Sequence, residues 1–135
     1  MKITKTQKGS VAIDFDGVIN SYKSGFISVD QIPDPPVPGV FNKICEYLDY
    51  GFIVYIYSTR NTNDIGRLAI YKWFIKHGML TTYVEKLNIV SAKPVAKLYI
   101  DDRGYQFTGQ LPSIKYIENF TPWHGGVSSS QKISS

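Results

Sequence analysis

Cysteine and histidine are nearly missing from this chain: its 135 residues include one cysteine, Cys45, and two histidines. A lone thiol cannot close an internal disulfide, and no second thiol or histidine stands at zinc-ligand spacing around it. Cys45 therefore reads as a small buried apolar residue. Charge is sparse as well, at 19% of residues, too low for a disordered acidic or basic chain. The net charge of +4 comes from lysines and arginines scattered along the sequence, which suits an anionic substrate without naming one. Long apolar runs are also absent. The longest, Phe52 to Tyr57, is far too short to span a bilayer, and the opening MKITKTQKGS has no apolar leader core. These absences speak against a disulfide scaffold, a zinc module and a helical membrane protein. The expectation is a cytoplasmic protein with no membrane partner.

What is present is the composition of a folded protein, 43% hydrophobic and 14% aromatic. A chain of this length suits one domain that buries roughly two-thirds of its unfolded surface. That domain is expected over residues 1–126, with VSSSQKISS at 127–135 as a flexible tail. Three segments share one design, an apolar run ending on polar residues: VAIDFD at 11–16, FIVYIYSTR at 52–60 and KLYIDDR at 97–103. Such runs suit strands of a parallel sheet buried on both faces. Between them lie helical patterns. Val40, Ile44 and Leu48 recur at four-residue spacing, with Gly51 as a stop. A second helix is expected to start near Asn63 or Asp64, to turn Ile65, Leu68, Ala69, Trp73 and Phe74 toward the core, and to stop at Gly78. His77 falls in its last turn, where a partial positive charge is favourable and a structural role is expected. Tyr83 to Val90 reads as a further strand and Lys115 to Ile117 as a short one. IPDPPVPG at 32–39 is a stiff connector. Alternating strands and helices imply a layered α/β sheet with right-handed crossovers.

The stretch VAIDFDGV at 11–18 poses the chemical question. If the strand continues through it, Asp14 and Asp16 point to one side and Phe15 to the other. Two carboxylates held together repel, and one takes up a proton unless a cation sits between them. A plainer reading is a strand that ends in an Asp-Gly turn. The layered sheet weighs against stopping there, because the carboxyl ends of parallel strands converge on a crevice. That geometry is expected to bring Asp14, Asp16, Ser58 and the pair Asp101-Asp102 to one rim.

In this order the elements resemble the haloacid dehalogenase superfamily of aspartate-dependent phosphatases: DFDGV at 14–18, Ser58 after an apolar strand, Lys93, and Asp101-Asp102 after another strand. The resemblance covers roughly residues 10–124, and KPVAKLYIDDRGYQF and PWHGG are similar to its small phage and bacterial members. It implies a three-layer Rossmann-like sandwich with a mainly parallel central sheet. It also implies that Asp14 is the nucleophile and Asp16 the acid and base. Mg²⁺ would be held by Asp14, the backbone carbonyl of Asp16, and Asp101, with Asp102 nearby. Ser58 would bond the phosphoryl oxygens, with Thr59 a minority candidate, and Lys93 would neutralise charge. The chemistry is coherent, since a carboxylate can attack phosphorus covalently, and a cluster of acids accepts an anionic phosphoryl group only beside a cation.

Arg60 either grips a substrate anion or pairs with a structural carboxylate, and Arg103 is expected to anchor the Asp101-Asp102 loop. Lys97 opens the strand that runs to Asp101, about 13 Å from its far edge at 3.3 Å per residue, so Lys93 is the lysine expected at the site. No insertion is large enough for a folded cap, which leaves substrate contacts to the loop from Asn20 to Ile32, with Tyr22, Lys23 and Phe26 as candidates. The implied function is a Mg²⁺-dependent phosphomonoester hydrolase acting on a nucleotide, a sugar phosphate or a polynucleotide end, with nucleic acid met only as substrate. Two other classes remain open: a phosphoacceptor signalling module, and a nucleic-acid-binding protein with an inactive site.

Overall fold

A computed structural model describes residues 9–94, 96–101 and 105–120. Asp102, Arg103, the PWHGG segment and the tail expected at 127–135 lie outside the described residues. The strands are β1 (Ser10–Asp14), β2 (Ile53–Tyr57), β3 (Asn88–Val90), β4 (Leu98–Asp101) and β5 (Tyr105–Gln106). They form one five-stranded sheet in the order β3-β2-β1-β4-β5, and every pairing is parallel. The helices are α1 (Val40–Tyr50), α2 (Asp64–Lys76), α3 (Thr81–Val84) and α4 (Ile114–Asn119). The described residues thus form an α/β, Rossmann-like sandwich, with no large cap among them. No described helix is long and apolar enough to cross a membrane.

Strand β1 takes the centre of the sheet, and Val11, Ala12 and Ile13 are all fully buried. The expectation of strands buried on both faces holds there. It fails for β2, where burial alternates: Val54 and Ile56 are inside, while Ile53, Tyr55 and Tyr57 are half-exposed. Tyrosine suits such a face because its ring packs while its hydroxyl stays polar. The register pairs Ile13 with Ile56 on one side and Ile100 on the other. The last residues of β1 and β2, Asp14 and Tyr57, are partners, and Asp101 follows Ile100 at the same level on β4.

Helix α1 runs from Val40, and at Gly51 the chain turns left-handed (φ 110°) while its N–H donates to the carbonyls of Tyr47 and Leu48. Only glycine takes that conformation without strain. Cys45 within α1 is half-buried rather than fully inside, and burial first, then Asp49, push its thiol pKa up. Helix α2 begins where Asn63 caps Gly66 N–H at 3.0 Å, as expected, and it turns Trp73 and Phe74 inward as expected but not Ile65 and Leu68. Ile65 is 62% exposed and Leu68 51%, while Gly66, Ile70, Trp73 and Phe74 face inward. The reason is Gly66: a Cβ there would lie 1.8 Å from the Arg60 carbonyl oxygen. The helix is seated on its glycine side, which no hydrophobic periodicity reveals.

Two short segments differ from expectation. Tyr83 and Val84 belong to helix α3, so the strand is confined to Asn88–Val90. Lys115 to Ile117 is helical in α4, because the Ser113 hydroxyl caps the Tyr116 N–H at 3.1 Å. His77 packs at a tilt against Trp73, with ring centroids 5.0 Å apart. Burial first, and then Lys76, hold its pKa below the usual value, so packing rather than helix-end charge accounts for it. The core joins α1 and α2 to the end of β1 through Phe15 on Trp73 (5.0 Å) and Phe41 on Phe74 (5.3 Å).

Candidate active site at the carboxyl edge of the sheet

Parallel pairing sets Asp14 and Asp101 level on adjacent central strands, at the edge where the chain leaves the sheet. Around them the register adds Tyr57, whose hydroxyl donates to Asp101 Oδ2 at 2.5 Å. Lys93 Nζ meets the same Oδ2 at 2.8 Å. The lysine also sits over the rings of Tyr57 and Tyr99, 5.5 and 5.2 Å from their centroids, so its ammonium is fixed by two aromatic faces and one carboxylate. Lys97 is at the other end of β4, where its N–H donates to the Ser10 carbonyl at 2.9 Å. The placement of the two lysines is as expected from strand geometry.

Asp16 reaches the site by a different route from the one expected. The strand stops at Asp14, so alternation along an extended chain does not position Asp16. Instead the Phe15 carbonyl accepts from the N–H groups of Val18, Ile19 and Asn20 at 3.3, 2.9 and 2.9 Å, and Gly17 takes a positive φ of 89°. Buried Phe15 anchors this tight turn. The Asp16 carboxylate is then held from two sides: Asn20 Nδ2 donates to Oδ1 at 2.8 Å, and Arg60 Nε donates to both oxygens at 3.2 and 3.0 Å. Asp16 thus sits in a turn and still lies close enough to Asp14 for its charge to act there.

Ser58 comes immediately after Tyr57, the strand partner of Asp14, and is buried. Its Oγ accepts from the Arg60 N–H at 3.0 Å and caps a 3-10 turn over Thr59–Thr62, so the hydroxyl keeps its own proton for donation. Thr59 is exposed on that turn. Arg60 is a carboxylate partner rather than a free grip for anions. It is 1% exposed, and besides Asp16 its Nη1 donates to the carbonyls of Ser28, Val29 and Gln31 at 2.7, 3.2 and 3.4 Å. Its Nη2 is buried with no acceptor among the described residues.

Those three carbonyls belong to the loop expected to contact substrate, which is a braced strap. Asp34 accepts from both the N–H and the hydroxyl of Ser24 at 2.8 Å, while its own carbonyl accepts from Trp73 Nε1 at 2.9 Å. Asn20 Oδ1 accepts from the Tyr22 N–H at 3.1 Å, and Tyr22 sits at φ 61°, an uncommon conformation outside glycine. Of the strap candidates, Phe26 and Lys23 are exposed and Tyr22 is half-buried.

The electrostatics centre on Asp14. Burial first, then the charges of Asp101 and Asp16, push its pKa from 3.8 up to about 6, against smaller lowering effects from the Phe15 backbone and Lys93. Arg60 is spent on Asp16, and the single Lys93 ammonium does not offset both Asp14 and Asp101. A hard cation would, and Asp14, Asp101 and a backbone carbonyl are oxygen donors that suit Mg²⁺, which binds through one or two carboxylates and keeps several waters. Among the described residues no group of three or more Asp, Glu, His or Cys side chains is placed to hold a metal ion, so the described side chains alone do not make a complete metal site. Comparison of the chain with known families, curated proteins and solved structures finds no match.

Asn20, Asp34, Tyr57 and Gly66 escaped the sequence reading. Asn20 and Asp34 are in turn-rich, proline-rich sequence where such residues are common. Tyr57 reads as the end of an apolar run. Tyr57 and Asp34 act through partners 44 and 39 residues away, while Asn20 and Gly66 act on near neighbours that no sequence period marks.

Proposed function

We propose that this protein is a Mg²⁺-dependent phosphomonoester hydrolase of the haloacid dehalogenase type, working through a phospho-aspartate on Asp14. The observation that carries this reading is that Asp14 and Asp101 each follow the paired residues Ile13 and Ile100 at the carboxyl edge of adjacent strands, with Lys93 bonded to Asp101 and Asp16 clamped beside them. The resemblance of DFDGV, Ser58, Lys93 and the Asp101-Asp102 pair to that superfamily supports it. Asp14, Asp101 and the Asp16 carbonyl would hold the ion, with Asp102 beside them. When bound, Mg²⁺ supplies charge neutralisation for the incoming phosphoryl group.

In this reading an Asp14 oxygen attacks phosphorus, the bond from phosphorus to the ester oxygen breaks, and Asp16 gives its proton to that departing oxygen. Asp16 then takes a proton from water. The water oxygen bonds to phosphorus, the bond to Asp14 breaks, and inorganic phosphate leaves with Asp14 again ionised and Asp16 again protonated. The Ser58 hydroxyl donates to a phosphoryl oxygen, and Lys93 offsets charge on Asp101 and the phosphate. Substrates in this reading are phosphate monoesters such as nucleotides, sugar phosphates or polynucleotide ends.

The test is release of inorganic phosphate from a panel of monoesters with Mg²⁺ and with chelator. Metal-dependent release, lost in Asp14→Asn, is expected. Release that ignores both changes refutes the proposal, and stable phosphorylation without turnover points instead to a phosphoacceptor module.

A further inference from the structure

Arg60 does two things with one guanidinium. Its Nε holds both oxygens of Asp16, and its Nη1 holds three carbonyls of the strap. A buried arginine paired in this way is costly to disturb, since removing one partner leaves an uncompensated charge. The outer side of that guanidinium is covered by Phe26, whose ring centroid is 5.2 Å from Cζ. Phe26 is nevertheless 57% exposed, and its neighbour Ile27 is 53% exposed. The strap backbone on either side of the ring is braced by Asp34, Asn20 and Arg60. An exposed aromatic is thus placed one guanidinium away from Asp16.

We propose that Arg60 and Phe26 form a leaving-group subsite: Arg60 positions Asp16 toward the departing oxygen, and the open face of Phe26 takes a flat aromatic leaving group. This rests on the proposed phosphatase reading, in which Asp16 protonates that oxygen. The group attached to it must then leave on the Asp16 side, the side that the strap covers. A flat ring laid on Phe26 gains stacking beyond its buried area, and the guanidinium beneath polarises the shared π surface. The favoured substrate class is a phosphate ester whose leaving group carries an aromatic ring near the ester oxygen.

The probes are two non-hydrolysable phosphonates, benzylphosphonate and cyclohexylmethylphosphonate, which differ in flatness and little in size. Their binding to the full chain is measured by calorimetry in Mg²⁺. Wild type is expected to prefer the benzyl compound by roughly threefold or more. Phe26→Ala should erase that preference, and Phe26→Trp should restore it. No preference in wild type, no binding of either compound, or a preference that survives Phe26→Ala overturns the subsite. For Arg60 the reading is kinetic. Arg60→Lys keeps the charge but cannot hold Asp16 and the strap carbonyls from two separate nitrogens, so kcat should fall further on an alkyl phosphate, which needs the Asp16 proton, than on p-nitrophenyl phosphate. Equal losses on both overturn the positioning role. If wild type hydrolyses no ester, the phosphatase reading fails, while the phosphonate result still decides the subsite.

Discussion

Replacing Asp14 with asparagine is expected to stabilise the metal-free protein while it abolishes turnover. In the folded chain Asp14 has a pKa of about 6 in place of 3.8. Between those values the native state binds more protons than the unfolded state, so stability falls as pH rises through that window. Above about pH 6 the penalty for the ionised form is complete. At about 1.4 kcal/mol per pH unit, the displacement corresponds to roughly 3 kcal/mol. Asp14 is only partly buried, and screening by solvent brings the expectation to roughly 1–2 kcal/mol. The amide of the Asp14→Asn variant keeps the shape, carries no charge and avoids that penalty. Thermal unfolding in chelator at pH 8 should therefore show the variant melting roughly 3–8 °C above wild type. The gap should close toward pH 4, and Mg²⁺ should stabilise wild type more than the variant. A variant that melts below wild type at pH 8 in chelator, or at an unchanged interval from it at every pH, refutes the argument that repulsion and burial act on Asp14.

Three further outcomes follow from the same geometry. Asp16→Asn keeps the hydrogen bond from Arg60 but cannot shuttle a proton, so turnover of a monoester should fall by about 10²-fold or more, and an unchanged rate in a steady-state assay rejects the acid and base role. Lys93→Ala should cripple hydrolysis while Lys97→Ala, at the opposite end of β4, leaves it near wild type, with circular dichroism confirming that both fold; the reverse result shows a misassigned lysine. Gly66→Ala should cost roughly 3 kcal/mol in urea unfolding, because the added methyl meets the Arg60 carbonyl at 1.8 Å, whereas Leu68→Ala on the exposed side of the same helix should change stability by about 0.5 kcal/mol or less.

The sequence alone carried whatever is decided within a few residues or by a repeating period. Apolar runs marked β1, β2 and β4, and glycine marked the end of α1, because burial and backbone sterics act locally. Strand polarity then placed Asp14, Ser58 and Asp101 at one edge, and strand length separated Lys93 from Lys97. Tertiary structure decided what depends on contacts that no sequence period marks, whether near or far along the chain. The face of α2 was set by Gly66 resting on the Arg60 carbonyl, a constraint of space with no hydrophobic signature. The helical state of Lys115 to Ile117 follows from the Ser113 cap, since so short a segment lacks a period of its own. Arg60 read equally well as a substrate grip or a structural partner, because its sequence neighbours are the same either way. Its bonds reach back 44 residues to Asp16 and about 30 to the strap, and only a folded chain brings one guanidinium within reach of both.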